Sequence, residues 1–245
     1  YYSDRLVEFP LGILGVAVSS VILPGLSKNH AERDNDAFSR SLDWGLRLVW
    51  LVGLPATLGL ILLAQPLLST LFQYNQFGVD DVAMASKSLM AFALGLLPFI
   101  LIKVLVPGFT SRHDAKTPVR FGMYSIVSNV VLNLVLVWPL AHAGVALATA
   151  LSAYLNAGLL LIALLRQKVY RPGRGWGMFT ARVIFGCLLM AGFLQYVADG
   201  QAWFDWGVSQ RSGHLALEVA AAMSVYAFGV GSVSYTHLRA HETHH

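Results

Sequence analysis

Long apolar runs alternate along this chain with short polar joints. Seven runs stand out, at about 1–26, 42–66, 84–106, 118–139, 143–165, 180–198 and 213–231. A helix needs about 20 apolar residues to cross a bilayer, so each run predicts a membrane-spanning helix. The runs are too long and continuous for the ten-residue alternation of a membrane β-barrel. The predicted fold class is all-α, a polytopic helical membrane protein. Pro10, Gly12 and Gly15 in the first run, Gly53, Pro55 and Gly59 in the second, and Gly95 and Pro98 in the third predict bent or broken helices. Such bends suit either a midplane site or ordinary bent packing.

The joints differ in charge, which predicts orientation. Lys28, Arg33 and Arg40 follow the first run, Arg112, Lys116 and Arg120 the third, and Arg166, Lys168, Arg171, Arg174 and Arg182 the fifth. The intervening joints carry Arg211 alone, and 67–83 carries Asp80 and Asp81. Basic joints lie on the cytoplasmic side of membrane proteins, so the first span enters from outside and the C-terminus is cytoplasmic. That reading accounts for the basic runs without a nucleic-acid partner.

Composition agrees. Of 245 residues, 56% are hydrophobic and 12% charged, against about 25% charged in soluble domains. The single cysteine, Cys187, excludes an intramolecular disulfide and a cysteine-rich metal site. No nucleophile–base pair or metal-ligand cluster stands out in the spans, so no catalytic residue, no bound metal and no enzyme activity are predicted. The chain opens on Tyr1 inside a span with no leader, which reads as a chain whose N-terminal part is missing.

Three charges stand at the head of the first span. Asp4, Arg5 and Glu8 are three and four residues apart and share one helix face. A charge within a span is costly and usually faces protein or a water-filled cavity. Arg5 therefore either meets an anionic substrate in a cavity or snorkels to the interface with its neighbours. Arg47 and Lys103 lie near the basic ends of their spans and predict snorkelling, and Lys87 near the opposite end does the same. Asn129 and Asn133 share a face, and Thr149, Ser152 and Asn156 follow on the next span. These groups either coordinate a small cation through oxygen or bond one helix to another.

The last residues depart from the pattern. After Gly231 the apolar run stops, and the string V-S-Y-T-H-L-R-A-H-E-T resembles translated sequencing adapter. Residues 232–245 are expected to be a non-native tail, so His237 and His241, four apart, are not read as a metal site.

Several strings carry a resemblance. Y-Y-S-D-R-L-V-E-F-P-L-G-I-L-G-V-A with L-P-G-L-S, L-F-Q-Y-N-Q-F, K-V-L-V-P-G-F-T-S-R-H-D-A-K-T-P-V and H-A-G-V-A-L-A-T-A-L resemble the MurJ (MviN) family of lipid II flippases, through about residue 231. That family sits within the superfamily of multidrug, oligosaccharide-lipid and polysaccharide exporters. The resemblance implies fourteen helices in the whole family member, of which this chain supplies those like helices eight to fourteen. It divides the chain into most of the C-terminal lobe (1–165), a basic cytoplasmic loop (166–179) and a terminal helix pair (180–231) that forms a groove for a lipid tail.

The resemblance also implies roles. Arg5 matches an arginine that lines the central cavity, with Asp4 and Glu8 beside it as substrate-binding candidates. Asn129, Asn133, Val145 (by its carbonyl) and Thr149 fall near a sodium site, although Asn133 stands where some members have an acid. The implied function is translocation of lipid II, an undecaprenyl-pyrophosphate-linked peptidoglycan precursor, across the bacterial inner membrane by alternating access. Coupling to sodium or to the membrane potential, membrane lipids, cell-wall synthesis machinery as partner and a monomeric full-length protein are further expectations, and no other cofactor is implied. A related exporter of another polyprenyl-linked sugar or a drug, and a membrane scaffold without transport, are the alternatives.

Overall fold

The computed structural model describes residues 2–31, 34–72, 79–198 and 207–242, of which 2–4, 13–14, 16–19, 21–23, 29–31, 79, 198, 208 and 233–242 are described by backbone alone. The described residues form eight helices: α1 (Tyr2–Ala31), α2 (Asn35–Leu62), α3 (Ala64–Phe72), α4 (Val79–Leu94), α5 (Leu96–Thr110), α6 (Lys116–Arg166), α7 (Trp176–Ala198) and α8 (Val208–Glu242). Five stretches are long and apolar enough to cross a membrane: Asn35–Leu62, Asp80–Thr110, Lys116–Arg166, Trp176–Val197 and Ser209–Ser232. The third contains two of the expected spans, and α1 covers the run expected at 1–26.

Proline places the breaks. Pro98 has no N–H for the Leu94 carbonyl, and the run expected at 84–106 divides at Gly95 into α4 and α5. Within α6, Ala141 leaves helical geometry at φ 49°, ψ −126°, two residues after Pro139. The 51-residue range is therefore two helices, broken within the joint expected at 140–142. Their hydrogen bonds step forward on one half and backward on the other: Ser125 pairs with Ser152, and Asn129 with Thr149. The halves form an antiparallel hairpin. Gly144 makes the reversal possible, because a Cβ there would collide with the Leu136 carbonyl.

α4 and α5 form the centre, packing on α1, α2 and α6. The core gathers Leu42, Leu46 and Val49 of α2, Leu89 of α4, Leu96, Ile100, Leu105 and Phe109 of α5, and Leu160 and Leu164 of α6. On the second half of α6, Ala146, Ala150, Ala153 and Ala157 are buried at alternating spacings of four and three. That is one helix face, made small so that α6 lies close to α4 and α5. The first half of α6 instead exposes Ile126, Val127, Val130, Val131, Leu134 and Val135. A helix apolar on its exposed side belongs in hydrocarbon.

α7 and α8 pack on each other and meet the rest through α2 and α3. Glycines make their contact close. A Cβ on Gly229 would stand 2.9 Å from the Gly186 Cα, and one on Gly186 would stand 2.8 Å from Val230 Cγ2. Larger residues at either position would push the pair apart.

Candidate functional site

The predicted polar features fall in different parts of the lobe. On α1, Arg5 Nη1 donates to Glu8 Oε2 at 3.1 Å, and the two side chains are 60% and 54% exposed. The pair lies on an open face of the helix. Asp4 is helical in the same turn, but its side chain lies outside the described residues.

On the α6 hairpin all four residues expected near a cation come together. Asn133 Nδ2 donates to Asn129 Oδ1 at 3.0 Å. Asn129 Nδ2 donates to Thr149 Oγ1 at 3.4 Å and to Ser152 Oγ at 3.2 Å. Thr149 Oγ1 donates to the Val145 carbonyl at 3.0 Å. The chain ties the two halves together, and Asn133 Oδ1 is a buried acceptor without a hydrogen-bond partner.

Arg47 corrects the expectation of snorkelling. Its Nε donates to Asp43 Oδ2 at 2.7 Å, its Nη2 donates to the Arg174 carbonyl at 3.0 Å, and its guanidinium lies 5.2 Å from the Trp176 ring centroid. Asp43 Oδ1 also accepts from Tyr170 OH at 2.8 Å, Gly173 N at 3.0 Å and Trp176 Nε1 at 2.6 Å. Beside it, Ser39 Oγ donates to the Arg171 carbonyl and accepts from the Arg171 N–H. The segment 170–176 is thus a strap bound along two turns of α2, from Ser39 to Arg47. Burial, and then the Asp43 carboxylate, push the Tyr170 phenol above its ordinary range, so it stays a donor. The sequence signal for this cluster was the four-residue spacing of Asp43 and Arg47, a weak one beside the apolar runs.

Of two further basic residues, Arg211 departs from its expected place and Lys103 keeps it. Arg211, expected in an outer joint, lies in α8, is buried, and donates from Nη1 to the Ser69 carbonyl at 3.1 Å. That carbonyl is in the last turn of α3, where helical partners run out and a cation is favourable. Lys103 is exposed, with its aliphatic stem against Gly15 of α1. The D-A-K-T-P string proves to be a helix start: Asp114 accepts from Thr117 N at 3.1 Å and from Thr117 Oγ1 at 2.7 Å. The Thr117 hydroxyl, chiefly, holds the Asp114 carboxyl below the usual carboxylate range. The side chains of His237 and His241 lie outside the described residues.

Between α2, α7 and α8 lies a cavity of about 750 Å³. Its walls are nearly all apolar, from Leu51, Leu60 and Leu67 on one side to Met190, Leu194 and Met223 on the other. The strap closes over α2 toward the basic end of the molecule, and Arg211 joins α8 to α3 toward the other.

Among the described residues, helices with apolar spans define a helical multi-pass membrane protein. The family model described as lipid II flippase MurJ matches residues 1–210. A probable lipid II flippase MurJ of Vibrio cholerae is 46% identical over 230 residues, covering 92% of this chain and 44% of that protein. Its counterpart in Haemophilus influenzae is 42% identical over 233 residues, covering 92% and 46%. A solved lipid II flippase MurJ in an inward closed conformation shares the fold, with a TM-score of 0.79 at 22% identity, over 97% of this chain and 46% of that one. The chain belongs to the lipid II flippase MurJ family. It spans about half the length of the curated relatives it matches.

Proposed function

We propose that this chain forms one half of a lipid II flippase of the bacterial inner membrane, with its basic joints and C-terminus cytoplasmic. The observation that carries this reading is the pairing, in one lobe, of an accessible arginine with an apolar groove of about 750 Å³. An amphiphile needs both. A diphosphate is too costly to take unpaired through hydrocarbon, and Arg5 pairs with phosphate oxygens bidentately once it leaves Glu8. Glu8 keeps that arginine oriented between substrates. The polyprenyl tail stays in the groove while the headgroup crosses by alternating access of two lobes. No covalent step is required. The membrane potential drives the movement, each charge across 100 mV being worth about 2.3 kcal/mol.

A sodium ion is a second coupling candidate, and one observation favours it. Asn133 Oδ1 is a buried oxygen with no partner, on a side chain whose hydrogen-bond chain runs on through Asn129 and Thr149 to the Val145 carbonyl. Hard cations take such ligands. Sodium would then raise thermal stability over potassium in the wild type and not in Asn133→Leu.

The flippase reading is tested in cells depleted of their own flippase, by the lipid II that becomes accessible on the outer face. Full-length protein restores it and Arg5→Ala, at equal membrane abundance, does not. Failure of the wild type gives way to a related exporter. Success of Arg5→Ala reduces Arg5 to a structural charge.

A further inference from the structure

Pro55 stands in the middle of α2. A proline has no N–H, so the carbonyl four residues earlier, that of Leu51, loses its helical donor. Inside a membrane no water replaces that donor, and an unbonded carbonyl is costly. The Tyr226 hydroxyl of α8 donates to the Leu51 carbonyl at 2.5 Å. The contact crosses 175 residues of sequence and joins the terminal pair to the lobe at the depth of the proline. Leu51, Pro55 and Tyr226 all line the groove. The Tyr226 ring is held from the other side by α7, since a Cβ on Gly186 would stand 3.0 Å from its Cδ2. One side chain of α8 thus meets both other walls, α2 and α7.

We propose that Tyr226 is a positioning residue: bonded to the carbonyl that Pro55 frees, it sets the separation of α2 and α8 and so the width of the groove for a long apolar chain. The identity of that occupant rests on the proposed reading of the groove as the tail's site. The tie between Tyr226 and Pro55 stands on geometry alone.

The test is a cycle of four full-length proteins in detergent: wild type, Tyr226→Phe, Pro55→Ala and the double variant. Two quantities are read in each. One is affinity for undecaprenyl phosphate. The other is the distance between spin labels at Trp44→Cys and Phe228→Cys, both exposed positions, with Cys187 replaced by Ser. With Pro55 in place, Tyr226→Phe lengthens or broadens the distance and weakens binding about tenfold, the effect of losing one buried hydrogen bond. In the Pro55→Ala background the restored backbone N–H takes the Leu51 carbonyl, and the same change costs less than about twofold. Equal losses in both backgrounds, or an unchanged distance in Tyr226→Phe, overturn the tie. A wild type that binds no polyprenyl phosphate, yet shows the Pro55-dependent change in distance, overturns the occupant of the groove and leaves the tie intact.

Discussion

Two arginine–carboxylate pairs of nearly the same spacing sit near the starts of two spans, and the fold treats them oppositely. Arg5 and Glu8 on α1 meet at 3.1 Å and stay 60% and 54% exposed. Arg47 and Asp43 on α2 meet at 2.7 Å and are 29% and 14% exposed. Around the second pair three more donors converge on one carboxylate oxygen, and two aromatic rings cover the guanidinium. Spacing alone makes both pairs local helix contacts worth a few tenths of a kcal/mol. What separates them is what arrives from elsewhere in the chain. The α2 pair is closed by a strap and has become structure, whereas the α1 pair keeps its arginine accessible.

The contrast yields a graded set of outcomes. Arg5→Ala should abolish the appearance of lipid II on the outer face while leaving thermal stability nearly unchanged, because an exposed pair contributes about 0–1 kcal/mol. A large fall in Tm would make the two pairs alike after all. Asp43→Ala leaves the Tyr170, Gly173 and Trp176 donors without their acceptor. It should cost about 3 kcal/mol, a Tm fall on the order of 10 °C, read by thermal unfolding in detergent.

Tyr170→Phe removes one of those donors and should cost about 1 kcal/mol at neutral pH. The folded phenol's pKa is raised, so the advantage of Tyr over Phe is fully present below its unfolded value of about 10. It is lost as pH rises through the folded value. A Tm difference that is flat or grows in alkali would remove the phenol from the cluster. Asp114→Ala is the mildest case, a helix start near the surface, at about 1 kcal/mol. Its folded carboxyl is lowered, so its contribution is present above pH about 4 and fades as acid protonates it. Measuring both variants against wild type across pH separates an acid-sensitive joint from an alkali-sensitive one.

Much of the fold could be read from residue order, because a span must bond its own backbone and shows as a continuous apolar run. The break at 140–142 was legible as the gap between two apolar runs, and the bend at Gly95 and Pro98 because proline removes a donor. The family strings were legible too, although D-A-K-T-P marks a helix start and touches no groove. Other features were hidden because their partners are remote. Nothing near Asp43 signals that Tyr170 and Trp176 will reach it, nothing near Pro55 names Tyr226, and Arg211 looks like a joint residue until α3 lies beside it. The convergence of Asn129, Asn133, Val145 and Thr149 was anticipated from resemblance. Their hydrogen bonds define a hairpin tie, a role that spacing alone left open beside a cation site.

The strap has a consequence for how the protein is made. Tyr170, Gly173 and Trp176 bond Asp43 across 127, 130 and 133 residues. On a ribosome moving at about 5–20 residues per second, α2 waits several seconds with Arg47 as the nearest neighbour of its carboxylate. The lobe's first helices are therefore laid down with an unfinished seam, and the strap, made more than a hundred residues later, closes it. A substitution at Asp43 should then reveal itself during biogenesis, as α7 and α8 exposed to membrane proteases, before any defect appears in the mature protein.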